Sequence, residues 1–348
     1  METVAMKACE TPRIGVLLAN TGTPKSPEPR DVRRYLGRFL MDERIRPMAK
    51  APWWLILHLF ILPTRSVKSG RKYGKIWTEA GSPFDVEHAK LRDLLEQRLQ
   101  GDGMDVLVQV GQSYGEDSIR AALATLREQG CTQVVALPLY PQSAHSTTLS
   151  VKDGVAAAMT ELSWQVPVTF VDSYGMDSAY IEAIAQSVSA AGFNAQTGDR
   201  LLFNYHSIPM KDIEQGDTYE PQTGATALAV AGRLRLDRTQ WTIGYNCRFD
   251  KSREWLQPFT RGVLKRWAQA RDGRVFMVCP NFAVDCLETL YDIDYELVPW
   301  YRQAVEEAGR PYEGSEFVYV PCLNGTPMHA SVLAHVLAPY LTGKDHHE

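Results

Sequence analysis

RVFMVCPNFAVDCLETLYDIDYE, residues 274–296, decides the fold. It opens on an apolar run with no polar alternation, as in a strand covered on both faces. Pro280 closes that run, and a helical pattern follows over 283–291. The same order recurs along the chain. Strand candidates lie at 13–20, 104–112, 133–140, 166–174, 199–206, 240–246, 274–281 and 316–323. Helix candidates lie at 84–99, 116–129, 178–191, 222–235 and 252–270. Strands alternating with helices predict βαβ units and parallel sheets. Two internal echoes point to duplication: VLVQVGQSYGEDSI is laid out like WTIGYNCRFDKSREW, and VVALPLYPQSAHSTT like VFMVCPNFAVDCLET. The expected fold is α/β with two similar lobes. The N-terminal lobe is expected over 12–165, the C-terminal lobe over 166–323, and a last helix over 324–342 packing back on the first lobe.

The totals exclude several function classes. The chain has 348 residues, 45% hydrophobic and 22% charged, so a large core can be buried. A formal net charge of −4 offers no electrostatic case for nucleic acid. The opening METVAMKACETPR has no apolar core of an export signal. The six cysteines (Cys9, Cys131, Cys247, Cys279, Cys286, Cys322) form no CxxC pair, and reduced thiols in a cytoplasm are expected. No HxH or HExxH cluster signals zinc, and the terminal DHHE reads as a frayed tail. The apolar run in APWWLILHLFILPTR, 51–65, is too short to span a bilayer. With Lys50, Arg65, Lys68, Arg71 and Lys72 around it, it reads equally as a buried helix or as an exposed lip at a pocket mouth or membrane surface.

In open α/β sheets, ligands sit beyond the carboxyl ends of the strands. After the first strand stands NTGTP, where Gly22 and Pro24 mark a tight turn; no phosphate-binding glycine pattern is present. After the fifth stands His206 in YHSIP, which reads as a general base, a metal ligand, or an imidazole satisfied by the turn. After the seventh come Glu288, Asp292 and Glu296, four apart and so on one helix face, with Tyr291 and Tyr295 beside them. No Lys or Arg lies between Arg274 and Trp300. The stripe is either a solvated face or a line that passes divalent cations inward, with Glu288 nearest the cleft.

LLFNYHSIPMKDIEQGDTYEPQ and CPNFAVDCLETLYDIDYE resemble the ferrochelatases, as do VLLANTGTP, IWTEAGSP, LPLYPQSAHSTT, REWLQPFT and VPCLN in the same order, from about 13 to 338. The resemblance implies two Rossmann-like lobes with a porphyrin between them. It implies insertion of Fe²⁺ into protoporphyrin IX to form protohaem, with release of two protons. It places the catalytic, metal-handling pair on His206 and Glu288, and the acidic path on Asp292 and Glu296. Porphyrin-lining positions fall on Thr21, Ser82, Tyr114 and Trp255, and 53–62 falls on the lip that borders the pocket. Thr21 stands where members carry an apolar residue or tyrosine, Asn281 replaces the glycine of CPGF, and NCRFD replaces QSRFG. No cysteine follows Cys322, so no iron–sulfur cluster is expected; Fe²⁺ enters as substrate, with no tightly bound cofactor. Protoporphyrin IX and Fe²⁺ are the implied partners, in a cytoplasmic protein whose 51–65 lip corresponds to one that touches membrane in some members of the family. The rival reading is a tetrapyrrole- or metal-binding paralogue without catalysis.

Overall fold

β1 (Ile14–Asn20) is buried at every residue, which places it in the interior of a sheet covered on both faces. The computed structural model describes residues 13–250, 252–270, 273–312 and 316–342. The expectations for METVAMKACE, with Cys9, and for DHHE lie outside the described residues. After β1 come α1 (Pro29–Met41), α2 (Lys50–Ile56), a π-helical turn (Leu57–Ile61), α3 (Leu62–Ile76), α4 (Pro83–Gly101), β2 (Val106–Gln112), α5 (Ile119–Glu128), β3 (Gln133–Pro138), α6 (Ser150–Glu161) and β4 (Val168–Phe170). Then follow α7 (Ser178–Ala190), β5 (Arg200–His206), α8 (Met210–Glu214), α9 (Tyr219–Arg233), β6 (Trp241–Asn246), α10 (Thr260–Ala270), β7 (Val275–Val278), α11 (Leu287–Tyr291), another π-helical turn (Asp292–Leu297), α12 (Val298–Glu307), β8 (Phe317–Val320) and α13 (Pro327–Leu341).

The strands form two four-stranded sheets, ordered β2-β1-β3-β4 and β6-β5-β7-β8, with every pairing parallel. The echoes in the sequence therefore join topological equivalents, β2 with β6 and β3 with β7. In each sheet the order reverses between the first strand and its neighbours, so Asn20 at the end of β1 and His206 at the end of β5 hold matching positions at the switch points. One cluster of buried side chains runs through both lobes, from Leu18 and Val135 to Phe203 and Val278. Polar ties cross the join: Gln142 Nε2 donates to Thr226 Oγ1 at 3.0 Å, and the Ser143 and His145 amides donate to Gln222 Oε1 and Asp217 Oδ2 at 2.9 and 2.6 Å.

The expected division at residue 165 is corrected: β4 pairs with β3, Val134 opposite Val168, and so belongs to the first sheet. An edge strand of three residues carries too little pattern to declare which sheet it joins. α13 packs on α4, where Gly325 N donates to Glu87 Oε2 at 2.9 Å. The helix expected from 252 begins only at Thr260, because Pro258 cannot sit inside a helical ladder. Instead Leu256 N donates to Ile208 O at 2.9 Å, which pins the 252–259 stretch beneath β5 and carries Trp255 inward. Of the three π-helical turns among the described residues, Leu57–Ile61 and Asp292–Leu297 end just before a helix with proline in its first turn, Pro63 in α3 and Pro299 in α12; the third, His145–Leu149, leads into α6 without one. Neither proline has an N–H for the i−4 carbonyl, so the turn before it is free to widen.

Candidate active site

The carboxyl ends of β1, β3, β5 and β7 open into one cavity between the lobes. Gly22, at φ 103°, makes the turn after β1; a Cβ there would lie 2.7 Å from Gln112 Oε1. The Asn20 carboxamide is fixed on both sides. Its Oδ1 accepts from Thr21 N at 2.7 Å, and its Nδ2 donates to His88 Nε2 at 3.1 Å. From α1 come Tyr35, Leu36 and Phe39, and from α3 come Arg65, Ser69, Tyr73 and Ile76, one helical stripe. Tyr35 donates to Gly22 O at 2.9 Å.

His206 and Glu288 both line this cavity. His206 Nδ1 lies 2.6 Å from Ser207 O, an acceptor, so Nδ1 carries the proton and Nε2 keeps its lone pair. Burial holds the imidazole below its ordinary pKa, and Glu288 opposes that only in part. The Phe249 ring lies 5.1 Å from the imidazole, 5.6 Å from Phe39 and 5.8 Å from Trp255, edge-on to both of those aromatic rings. Arg65 Cζ stands 5.9 Å from the Phe249 centroid. Burial lowers the Arg65 pKa, with Glu288 and Asp250 drawing it back up. The cavity thus joins an aromatic wall, a neutral imidazole, a carboxylate and a guanidinium.

The porphyrin-lining expectations divide. Thr21, Ser82 and Trp255 line the cavity. Thr21 Oγ1 is 2.5 Å from the Tyr140 hydroxyl, and Ser82 Oγ is 3.2 Å from Thr23 Oγ1. Tyr114 is corrected: it stands one layer back, behind Phe39 at 5.2 Å, with its hydroxyl on Asp42 Oδ2 at 2.7 Å. It is a prop for α1 rather than part of the wall. Two buried polar atoms at the cavity have no partner among the described residues, Trp255 Nε1 and Asn281 Oδ1.

The acidic stripe is present and its chemistry differs from the expectation. Asp292 and Glu296 stand on the π-helical turn Asp292–Leu297, and a cation has come from the other lobe. Lys72 Nζ lies 3.2 Å from Asp292 Oδ1 and 2.7 Å from Glu296 Oε1, and Arg261 reaches Glu296 Oε2 at 3.4 Å. The stretch 275–299 has no base of its own; α3 and α10 supply them. Burial, then Glu288, lifts the Asp292 pKa to about 6 despite Lys72. Cys247 Sγ, at φ 65°, lies 3.5 Å from Asp292 Oδ2, and burial pushes its thiol up. Among the described residues no three His, Cys, Asp or Glu side chains are grouped to hold a metal ion.

The lip is exposed rather than buried. Trp54, Leu55, Leu59 and Phe60 face outward, Phe60 at 70% exposure, while Leu57 is fully buried and Trp53 Nε1 donates to Leu40 O at 2.6 Å. Residues 53–62 lie beside the cavity, whose wall on α3 begins at Arg65, the last residue of the 51–65 segment. Ser69 and Tyr73 are not marked by the sequence pattern, and Arg65 and Lys72 read there only as flanking charges, although the three- and four-residue spacing of all four on one stripe was available to find them.

The ferrochelatase family profile matches residues 13–340. The chain is 36% identical over 337 residues to a ferrochelatase of Mannheimia succiniciproducens, covering 97% of this chain and 100% of that one. It is 39% identical over 329 residues to a ferrochelatase of Methylococcus capsulatus, covering 94% and 97%. Among solved structures, SirB from Bacillus subtilis with Fe3+ superposes with a TM-score of 0.55 at 10% identity, over 95% of this chain and 96% of that one, which is a likeness of fold. The chain belongs to the ferrochelatase family, the lyases that insert ferrous iron into protoporphyrin IX to make protohaem.

Proposed function

We propose that His206 and Glu288 carry the metal insertion, with the porphyrin held between the lobes. The observation that supports this most is the unprotonated His206 Nε2 in the same aromatic cavity as the Glu288 carboxylate. Insertion needs two pyrrole N–H protons removed as Fe²⁺ takes the four nitrogens, so one porphyrin and one Fe²⁺ give protohaem and two protons. A neutral imidazole at a depressed pKa stays unprotonated near neutrality and can take a pyrrole proton in turn. Glu288, reached from the Asp292 and Glu296 side, offers a carboxylate oxygen to the incoming iron and compensates the charge arriving on His206. Phe39, Phe249 and Trp255 grip the macrocycle's faces, and a wall that fits a bent ring better than a flat one exposes the nitrogen lone pairs. The test is anaerobic mixing with Fe²⁺ and protoporphyrin IX, followed by visible absorption. Turnover by the native chain, lost in His206→Ala and Glu288→Gln while both still bind porphyrin, supports the assignment. Undiminished turnover in either variant rejects it.

The outward apolar face of α2 and its π-helical turn supports peripheral contact with a membrane surface. Arg30 and Arg33 of α1 border a groove that Trp54 and His58 also line, so apolar and cationic groups share one side. No helix among the described residues is long and apolar enough to cross a membrane. Co-sedimentation with anionic vesicles, abolished in Trp54→Ser/Phe60→Ser, tests this reading.

A further inference from the structure

The line of carboxylates that leads to Glu288 already contains a cation, and it is tethered to the opposite lobe. Lys72 Nζ sits within 3.2 Å of Asp292 and 2.7 Å of Glu296, and 4.9 Å from the Tyr291 ring centroid. Those are the two outer members of the line. Glu288, the inner member, has no salt bridge among the described residues. An ammonium and a divalent ion compete for the same oxygens. A tethered ammonium wins against sparse iron by its local concentration, while the cation that faces the inner carboxylate, Arg65, makes no ion pair with Glu288 among the described residues and acts on it only at longer range.

We propose that Lys72 is a gating residue: it keeps Asp292 and Glu296 from retaining a metal ion, so that iron passes them and is held only at the inner pair. Two carboxylates one turn apart, whose oxygens already converge on one ammonium, would otherwise offer that oxygen pair to a divalent cation short of the porphyrin. With Lys72 in place, iron binds there only by displacing it, and the ammonium returns when iron moves on. Lys72 acts on the other side groups of the path and touches no reacting atom. The proposal rests on the reading of Asp292 and Glu296 as iron's route.

The test uses the full chain with Lys72→Met, which keeps the apolar stem, and Lys72→Arg, which keeps the charge. Titration calorimetry with Co²⁺ and no porphyrin reads the outer site directly. Lys72→Met is expected to bind Co²⁺ about tenfold more tightly than the native chain, the order of one lost charge competitor. The gain is expected to vanish in Lys72→Met/Glu296→Gln and to be absent in Lys72→Arg. In steady state, excess Fe²⁺ should inhibit Lys72→Met at about tenfold lower concentration, with porphyrin KM unchanged. If Asp292→Asn and Glu296→Gln raise iron KM while Lys72→Met gains no Co²⁺ affinity, the route stands and the gate is overturned. If those two substitutions leave iron KM unchanged, the route itself fails and the gate with it. A Lys72→Met protein that only melts earlier and binds porphyrin less well makes Lys72 an interlobe tie, which also overturns the proposal.

Discussion

Two histidines buried between α4, α13 and the floor of the cavity make the fold sensitive to acid. His88 Nδ1 donates to Phe84 O at 2.7 Å and its Nε2 accepts from Asn20; His329 Nδ1 donates to Asn324 O at 2.8 Å and its Nε2 has no partner among the described residues. Both are essentially inaccessible, and burial lowers each pKa from 6.5 to about 4, with His329 adding to the effect on His88. A base whose folded pKa lies below its unfolded value is protonated more readily when unfolded. Its contribution is therefore complete above about pH 6.5 and is lost as pH falls toward 4. At roughly 1.4 kcal/mol per pH unit, each histidine removes about 3 kcal/mol by pH 4, and the two together remove much of an ordinary domain's 5–15 kcal/mol. Urea melts at pH 7.5, 6.5, 5 and 4 are the assay, comparing the native chain with His88→Gln/His329→Asn. Gln keeps an acceptor for Asn20 and Asn keeps a donor for Asn324 O. The double variant is expected to start less stable at pH 7.5 and to lose much less between pH 6.5 and 4. Asp85, raised by burial to about 6, works in the opposite sense but is common to both proteins and cancels. Equal slopes in the two proteins would refute the reasoning.

Other outcomes follow from the site and its flanks. Glu288→Gln should lower kcat by about 100-fold or more, the order for a group at the proton-transfer step, with porphyrin KM held. Asp292→Asn and Glu296→Gln should each raise iron KM, because either leaves Lys72 under-compensated on the route; full kinetics with each substrate varied separates this from an effect on porphyrin. In the lip, Trp54→Ser/Phe60→Ser should leave thermal stability within about 0.5 kcal/mol, whereas Leu57→Ala should cost about 2–5 kcal/mol, because Leu57 is core and the other two are exposed. Anaerobically purified protein should show no iron–sulfur absorption and no acid-labile sulfide, since the described cysteines are free and form no metal-holding group with other ligands among the described residues.

What the sequence determined by itself were the features carried by short-range pattern. Eight apolar runs between helices, and two echoed strand–turn–helix units, were enough for the parallel sheets and their likeness, because burial on both faces leaves an unbroken apolar signature in each strand. His206 and Glu288 were legible as candidates because His206 closes β5 and Glu288 lies on α11, the first helix after β7, and the carboxyl ends of parallel strands share one side of the sheet whatever the loops do. The tertiary structure alone decided which sheet takes β4, since a three-residue edge strand pairs by proximity rather than by pattern. It alone placed Tyr114 behind Phe39, because a tyrosine two residues past a strand can serve the wall or its support. Most of all it decided the charge of the acidic line. Between residues 275 and 299 the chain carries no basic side chain, yet Lys72, 220 residues before Asp292, comes to rest on it. Coulomb attraction acts through space and not along the chain, so a stripe that looks unopposed in sequence can be answered by any element that folding brings within a few ångströms.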